Sequence, residues 1–220
     1  LGIPGDFASP ALARMLAGFR TQWADVCVEI SNAPSERLLQ DLRSGELDVI
    51  VTLSERNSDP DARLHWTEEL VWVRGASTRV DANGPVPLAS CGDSCTQQRL
   101  AVATLEKFGR SYRVVLTAPN LTEVASAVAA GFGVTALSRS RIVGTDLVVC
   151  DERVLPKLPE VVCSIYLREG GDRAELESLA DALAETFQPR QSLTPTALAL
   201  AGAGSLGEAQ APLGLRVNGM

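Results

Sequence analysis

The chain has one histidine, His65, and few aromatic side chains, 5% of its 220 residues. A single imidazole excludes the commonest metal and proton-transfer constellations: structural zinc takes four nitrogen or sulfur ligands, and an activated Ser or Cys needs a base beside it. Positive charge is also short. Twenty Lys and Arg against 27 Asp and Glu leave a formal charge of −7, so this chain is not expected to grip a phosphate backbone, which draws on clustered cations. No apolar run approaches the roughly 18 residues of a membrane helix, and the opening residues lack the charged-then-apolar pattern of a secretion signal. A cytoplasmic location without membrane contact is expected.

What is present is ordinary globular material, 45% hydrophobic and 21% charged, enough to bury a core in one large domain or two small ones. The five cysteines are an odd count. Cys27, Cys150 and Cys163 fall in apolar, strand-like runs, where buried free thiols in a reducing compartment are expected. Cys91 and Cys95 differ, because they bracket Gly92, Asp93 and Ser94 in "ASCGDSCTQQ" (89–98), just ahead of a helical pattern. With one distant histidine they supply neither a metal set nor a nucleophile–base pair. No metal, cofactor or catalysis is expected. A redox pair at Cys91 and Cys95 is the sharper alternative: a helix start favours a thiolate, although an i, i+4 pair would reach disulfide distance only if the first turn distorts.

Strand and helix patterns alternate along the chain. After "LGIP", Leu12, Met15, Leu16 and Phe19 recur at helical spacing over 10–23, with Ser9 as N-cap and Pro10 in the first turn. "VCVEI" (26–30) reads as a strand, "SERLLQDLRSG" (35–45) as a helix stopped by Gly45, and "LDVIVTL" (47–53) as a buried strand. That order implies a parallel sheet. "LHWTEELVWV" (64–73) is a longer extended piece, followed by small and turn-forming residues that read as a crossing linker. The grammar then restarts with a strand at 86–90, a helix over 94–108, a strand at 112–117 and a helix opened by Asn120 with Glu123 as a capping box. Further strands follow at 133–138, 146–150 and 161–167, and a helix closes the pattern over 172–187. The last strand and helix are expected to return and complete the first half. Two lobes then flank a cleft, with ligands off the carboxyl ends of the strands. Beyond Pro189 no period is sustained, and a disordered tail over 190–220 is expected.

Three blocks carry a family resemblance: "LLQDLRSGELDVIV" (38–51), "ELVWV" (69–73) and "AVAAGFGVTAL" (127–137). With "GIPGDFASPALARMLAGFR" (2–20) ahead of them in the same order, the chain over roughly 1–188 resembles the effector-binding domain of LysR-type transcriptional regulators. The resemblance implies an α/β fold of two Rossmann-like lobes, periplasmic-binding-protein-like (type 2), joined by crossing strands. Lobe one would take 1–74 plus 161–189, and lobe two 75–160. A small-molecule effector, possibly an organic acid, would sit in the inter-lobe cleft, and the domain would form a homodimer and, in the parent protein, a tetramer. DNA would be touched only through an N-terminal winged helix-turn-helix that this chain does not include. The domain would have no enzyme activity; the alternatives are a free-standing solute-binding protein of a transporter and, third, an enzyme on the same fold.

By the family's pattern Asp6, Phe7 and Ser9, the helix start at Ser35, and Thr52 and Ser54 at the end of a strand face the cleft from lobe one. Cys91, Asp93, Ser94, Asn120 and Phe132 face it from lobe two. Four helix starts, at Ser9, Ser35, Ser94 and Asn120, would suit an anionic ligand. Asp6 and Asp93 oppose that unless Arg56 or Arg99 neutralises the corner, so an amine-bearing or neutral ligand stays open. His65 and the tryptophans Trp23, Trp66 and Trp72 read as core or interface residues.

Overall fold

The computed structural model describes residues 1–55, 60–170 and 174–188. In the first half of the sheet the middle strand is β3 (Val49–Ser54), buried from Val49 through Leu53, as a strand covered on both faces must be. On one side β3 pairs in parallel with β1 (Gly2–Ile3), and β1 with β2 (Ser31–Asn32). The strand expected over 26–30 does not form. β1 offers only Gly2 and Ile3 as partners, so the ladder is confined to Ser31 and Asn32. On the other side β3 runs antiparallel to β9 (Glu160–Leu167).

The long strand β4 (Leu64–Gly75) carries the sheet from one half to the other. Its first six residues pair antiparallel with β9, from Leu64 opposite Ile165 to Glu69 opposite Glu160. From Leu70 onward it pairs antiparallel with β7 (Val134–Ser138) and, at Val73 to Gly75, with β8 (Leu147–Val149). β5 (Val86–Ser90) then lies parallel to β7, and β6 (Tyr112–Thr117) parallel to β5 at the edge. The order among the described residues is β2-β1-β3-β9-β4-β7-β5-β6, with β8 on β4. β4 and β9 are thus the crossing strands between two parallel-sheet halves.

Helices α1 (Pro10–Gln22), α2 (Ser35–Arg43) and α5 (Ala174–Phe187) pack on the first half, and α3 (Thr96–Lys107) and α4 (Leu121–Ala129) on the second. Their apolar stripes bury Leu12 and Phe19 of α1, Leu38 and Leu42 of α2, and Leu179, Leu183 and Phe187 of α5. Each such side chain contributes about 1.5–3 kcal/mol when fully buried. Phe7, in a 3-10 turn after β1, meets Phe187 edge-on with centroids 5.0 Å apart, so the cleft-side loop is anchored in the core. Gly133 holds the turn into β7: its φ is +79°, and a Cβ there would meet the Pro87 carbonyl.

The packing corrects the expectations for Cys27, His65 and the start of α3 and agrees with those for Cys150, Cys163, Trp66 and Trp72. Cys27 is exposed, because the run containing it is not a strand; Cys150 and Cys163 are buried free thiols. Burial pushes the Cys150 thiol up to about 11, and that of Cys163 upward too, with Glu68 and Asp6 adding to the effect. Trp66 and Trp72 are core residues, Trp23 is half-buried against the core, and His65 is exposed on β4. Helix α3 begins at Thr96 rather than 94, since Cys95 keeps extended backbone angles. The tail over 190–220 and Arg56 lie outside the described residues.

Candidate functional site

The four helix starts near the carboxyl ends of the strands divide into two kinds. Ser9 caps α1, its Oγ accepting from the Leu12 N–H at 3.4 Å. Asn120 caps α4: its Oδ1 accepts from the Glu123 N–H at 2.9 Å while its Nδ2 donates to Glu123 Oε1 at 3.0 Å. Helix α2 instead follows Pro34, and α3 follows Cys95, neither with a side-chain cap. Ser35, the first residue of α2, turns to β3, where its Oγ donates to the Leu53 carbonyl at 3.1 Å and accepts from the Leu53 N–H at 2.9 Å.

The uncapped starts of α2 and α3 and the capped start of α4 surround one cavity of about 210 Å³. Its polar wall is made by Asp6, Asn32, Ser35, Ser94, Thr96, Gln97 and Asn120, and among the described residues no Lys or Arg lines it. Asp6 and Leu121 also line a second cavity of about 400 Å³, with Ser9, the outer face of α4, Ser138 and Arg141. Where the two meet, Gln97 Nε2 donates to Asp6 Oδ2 at 2.7 Å, joining the turn after β1 to the first turn of α3. Burial pushes the Asp6 carboxyl above its ordinary range, while the Arg141 charge and the hydrogen bond from Gln97 hold it back. The Arg141 guanidinium stacks 4.3 Å from the Phe7 centroid and 4.6 Å from that of Phe187, a cation held over two ring faces. Behind it Glu68 is buried, accepting from Trp66 Nε1 at 3.2 Å and Ser140 Oγ at 2.6 Å.

Cys91 and Cys95 are joined by a disulfide, with Cα atoms 6.0 Å apart. No helical turn is distorted to make it. Cys91 follows β5, Gly92 turns the chain at φ +85°, and Cys95 stands at the N-cap position, so both sulfurs precede the helix. The turn is closed by the Gly92 N–H to Ser90 Oγ at 3.0 Å and the Cys95 N–H to the Gly92 carbonyl at 3.2 Å.

Of the residues expected at the cleft, Asp6, Ser35, Cys91, Ser94 and Asn120 meet at the first cavity together with Cys95, and Ser9 joins Asp6 at the second. Phe7 is a core residue under Arg141. Thr52 is buried within β3 opposite Ser164, because β3 is covered on both faces from Val49 through Leu53. Ser54 ends β3 outside both cavities, and Asp93 is exposed in the turn. Phe132, 54% exposed, follows the far end of α4 and so stands a helix length from the site. The residue beside Asp6 is Arg141; Arg99 instead pairs with Glu55 at 3.7 Å. Asn32 and Thr96 carry no sequence signal of their own, and neither do Gln97, Glu68 and Arg141, which act through partners distant in the chain.

Among the described residues no helix is long and apolar enough to cross a membrane, and no group of three His, Cys, Asp or Glu is placed to hold a metal ion. A family model described as the LysR substrate binding domain matches residues 1–188. The chain is 26% identical over 185 residues to the HTH-type transcriptional regulator DgdR of Burkholderia cepacia, covering 84% of this chain and 61% of that protein. It is 25% identical over 160 residues to the HTH-type regulator PecT of Dickeya dadantii, covering 73% and 50%. The chain therefore spans about half to three-fifths of the curated relatives it matches. Among solved structures, the C-terminal domain of a probable LysR family regulator from Rhodococcus sp. RHA1 superposes with a TM-score of 0.62 at 24% identity, covering 83% of this chain and 96% of that one. A mutant HypT regulatory domain from Salmonella typhimurium gives 0.65 at 16% identity, covering 84% and 95%. These likenesses bear out the periplasmic-binding-protein-like fold, and the family match sets aside a transporter's binding protein. With residues 1–188 matched end to end, this chain belongs to the LysR family as its substrate-binding regulatory domain.

Proposed function

We propose that the domain senses a small carboxylate-bearing metabolite, bound in the cavity between the two halves, and so controls transcription through a DNA-binding domain of its parent protein. The observation that carries the ligand class is the pair of helix starts without side-chain caps, α2 and α3, opening on one cavity. Free N–H groups and the partial positive charge of a helix start favour an anion, each by about 0.3–1 kcal/mol when exposed and up to about 2 when partly buried. Glu36, the acid in the first turn of α2, is exposed and off the cavity, and α3 has no acid in its first turn. Asp6 does not spoil the site: burial pushes its carboxyl toward the uncharged form, and that carboxyl accepts from Gln97.

Because Asp6 belongs to the first half and Gln97 to the second, a ligand lodged between them favours one lobe arrangement over another by its differential affinity, which is all a ligand needs to shift a population. We take lobe one as 1–74 plus 161–189 and lobe two as 75–160; β4 changes partner from β9 to β7 between Glu69 and Leu70, close to the first boundary. The domain pairs with a second copy, and the parent forms a tetramer, so lobe closure changes the spacing of the DNA-binding domains. No turnover is part of this reading. Native mass spectrometry of the purified protein for a retained small acid, followed by calorimetry with a panel of mono- and dicarboxylates and matched amines, tests it. One carboxylate bound per chain is expected; binding of the amines alone, or of nothing, would overturn the carboxylate reading.

A further inference from the structure

We infer that the Cys91–Cys95 disulfide is a reversible redox gate on this cavity: closed, it holds the start of α3 where Gln97 can bridge to Asp6, and opened by a dithiol reductant, it releases that bridge. The inference rests on the reading of the cavity as the effector site and names how that site would be regulated.

Three placements carry it. Both cysteines line the cavity. Cys91 is buried, 8% exposed, while Cys95 is half-buried and reachable from the cavity, so a small thiolate entering there attacks Cys95 Sγ and expels Cys91. Gln97 lies two residues beyond Cys95, in the first turn of α3, and its amide reaches Asp6 across 91 residues of chain. A covalent tie between the end of β5 and the N-cap of α3 therefore fixes a hydrogen bond between the two halves of the fold. Cys27, Cys150 and Cys163 share none of this, the first being off the cavity and the others buried away from it.

The chemistry balances with co-reactants of ordinary class. In the reducing direction one thiolate of a dithiol forms a mixed disulfide with Cys95 and displaces the Cys91 thiolate; the second thiol resolves it. Two electrons pass to the protein disulfide, two protons complete Cys91–SH and Cys95–SH, and the reductant leaves as its own disulfide. In the oxidising direction the Cys95 thiolate attacks a hydroperoxide, giving a sulfenic acid and an alcohol; Cys91 then displaces water to restore the bond. The reduced state also changes the ligand's competition. A thiolate at Cys95 is favoured by the helix start, and it places a negative charge where a carboxylate ligand would sit.

Hydrogen exchange on the whole chain, air-oxidised and dithiol-treated, tests the gate without any ligand. Thiol titration under denaturing conditions should find three free cysteines before reduction and five after it. Reduction should speed exchange about tenfold at the Cys95 and Arg99 amides of the turn and at the Phe7 and Ala8 amides beside Asp6. The double variant Cys91→Ser, Cys95→Ser should exchange like the reduced protein and ignore the dithiol. Five free thiols in the oxidised protein, or a response confined to the Cys95 turn, overturns the gate. The two readings fail separately. A carboxylate that binds equally in both redox states sinks the gate and leaves the sensor; exchange that spreads to Phe7 and Ala8 with no carboxylate bound sinks the sensor and leaves the gate.

Discussion

Helices α1 and α4 are finished at their starts by their own residues, Ser9 and Asn120, whereas α2 and α3 begin after Pro34 and Cys95 with no side-chain cap. The difference separates frame from site. A capped start has one of its orphan N–H groups already satisfied and holds its helix in place whether or not a ligand is there. An uncapped start in a cavity keeps its donors for whatever enters. The residues that look most like ligand contacts by type, Ser9 and Asn120, are thus occupied within the fold. The open donors stand behind a proline and a cysteine.

The largest effect expected from breaking this division is at Ser35, which looks like a cap and is a tie between α2 and β3. Ser35→Ala removes the acceptor of the Leu53 N–H and should cost about 1–3 kcal/mol of stability, the cost of a part-buried donor left unsatisfied. Urea unfolding reads it directly; a loss no larger than a few tenths would mean that the tie is replaceable by water and that α2 is less firmly placed than its burial of Leu38 implies.

Next come the true caps. Asn120→Ala and Ser9→Ala should each lower stability by about 1 kcal/mol, with the Asn120 variant losing the reciprocal Glu123 contact as well. Carboxylate affinity, measured by calorimetry on the folded variants, should change much less than stability. An affinity loss as large as the stability loss would put these side chains on the ligand and erase the distinction between the two kinds of start.

How much of this was legible in the sequence follows the range of the interactions. Apolar periodicity and cap chemistry are local, so the helices, β3, β4 and the true caps at Ser9 and Asn120 could be read from spacing alone. The run 26–30 could not be rejected that way, because its β-forming residues look like a strand and only the two-residue length of β1 denies them partners. At the site the chain order of candidates was readable from the family's pattern, and Asp6, Ser35, Cys91, Ser94 and Asn120 do meet. Thr52 shows the limit of that reading: β3 is packed on both faces, so a polar residue near its carboxyl end can be buried in the sheet instead of reaching the cavity. Gln97 and Arg141 carry no local signal because they act through distant residues: both on Asp6, 91 and 135 residues away in the chain, and Arg141 also on Phe7 and Phe187. The pair Cys91 and Cys95 is legible in the sequence but the geometry that joins it is not: a helix read from 94 demands a distorted turn, whereas the turn at Gly92 places both sulfurs ahead of Thr96.

A smaller effect is expected from turning an open start into a closed one. Pro34 has the extended backbone of an N-cap, φ −59° and ψ 150°, so Pro34→Asp can supply a side-chain acceptor to α2 without rebuilding the loop. A new cap gains about 1 kcal/mol, and the lost proline gives back about 0.4–1 through the freer unfolded chain. Stability should therefore barely move. Carboxylate affinity should fall about two- to fivefold, because the new carboxylate takes the helix-start field for itself; unchanged affinity would remove α2 from the ligand's surroundings and leave α3 alone.

The smallest expected effect shows as a slope with pH, and it concerns Asp6, which lines the cavity between the two kinds of start. Burial holds the Asp6 carboxyl above its unfolded value of 3.8 in the folded chain, against the opposing pull of Arg141 and Gln97. The folded state therefore keeps a proton that the unfolded state has already released. Asp6 contributes stability in full below pH 3.8, and that contribution is lost as pH rises through the folded value. Asp6→Asn keeps an oxygen that can accept from Gln97 and removes the ionisation. Its stability relative to the parent should accordingly grow as pH rises above 3.8 and level off once the folded value is passed. Urea midpoints across that range check the sign. A variant that instead weakens as pH rises would show that Arg141 outweighs burial at Asp6, making the carboxylate a charged fixture of the cleft and a repulsive neighbour for a carboxylate ligand.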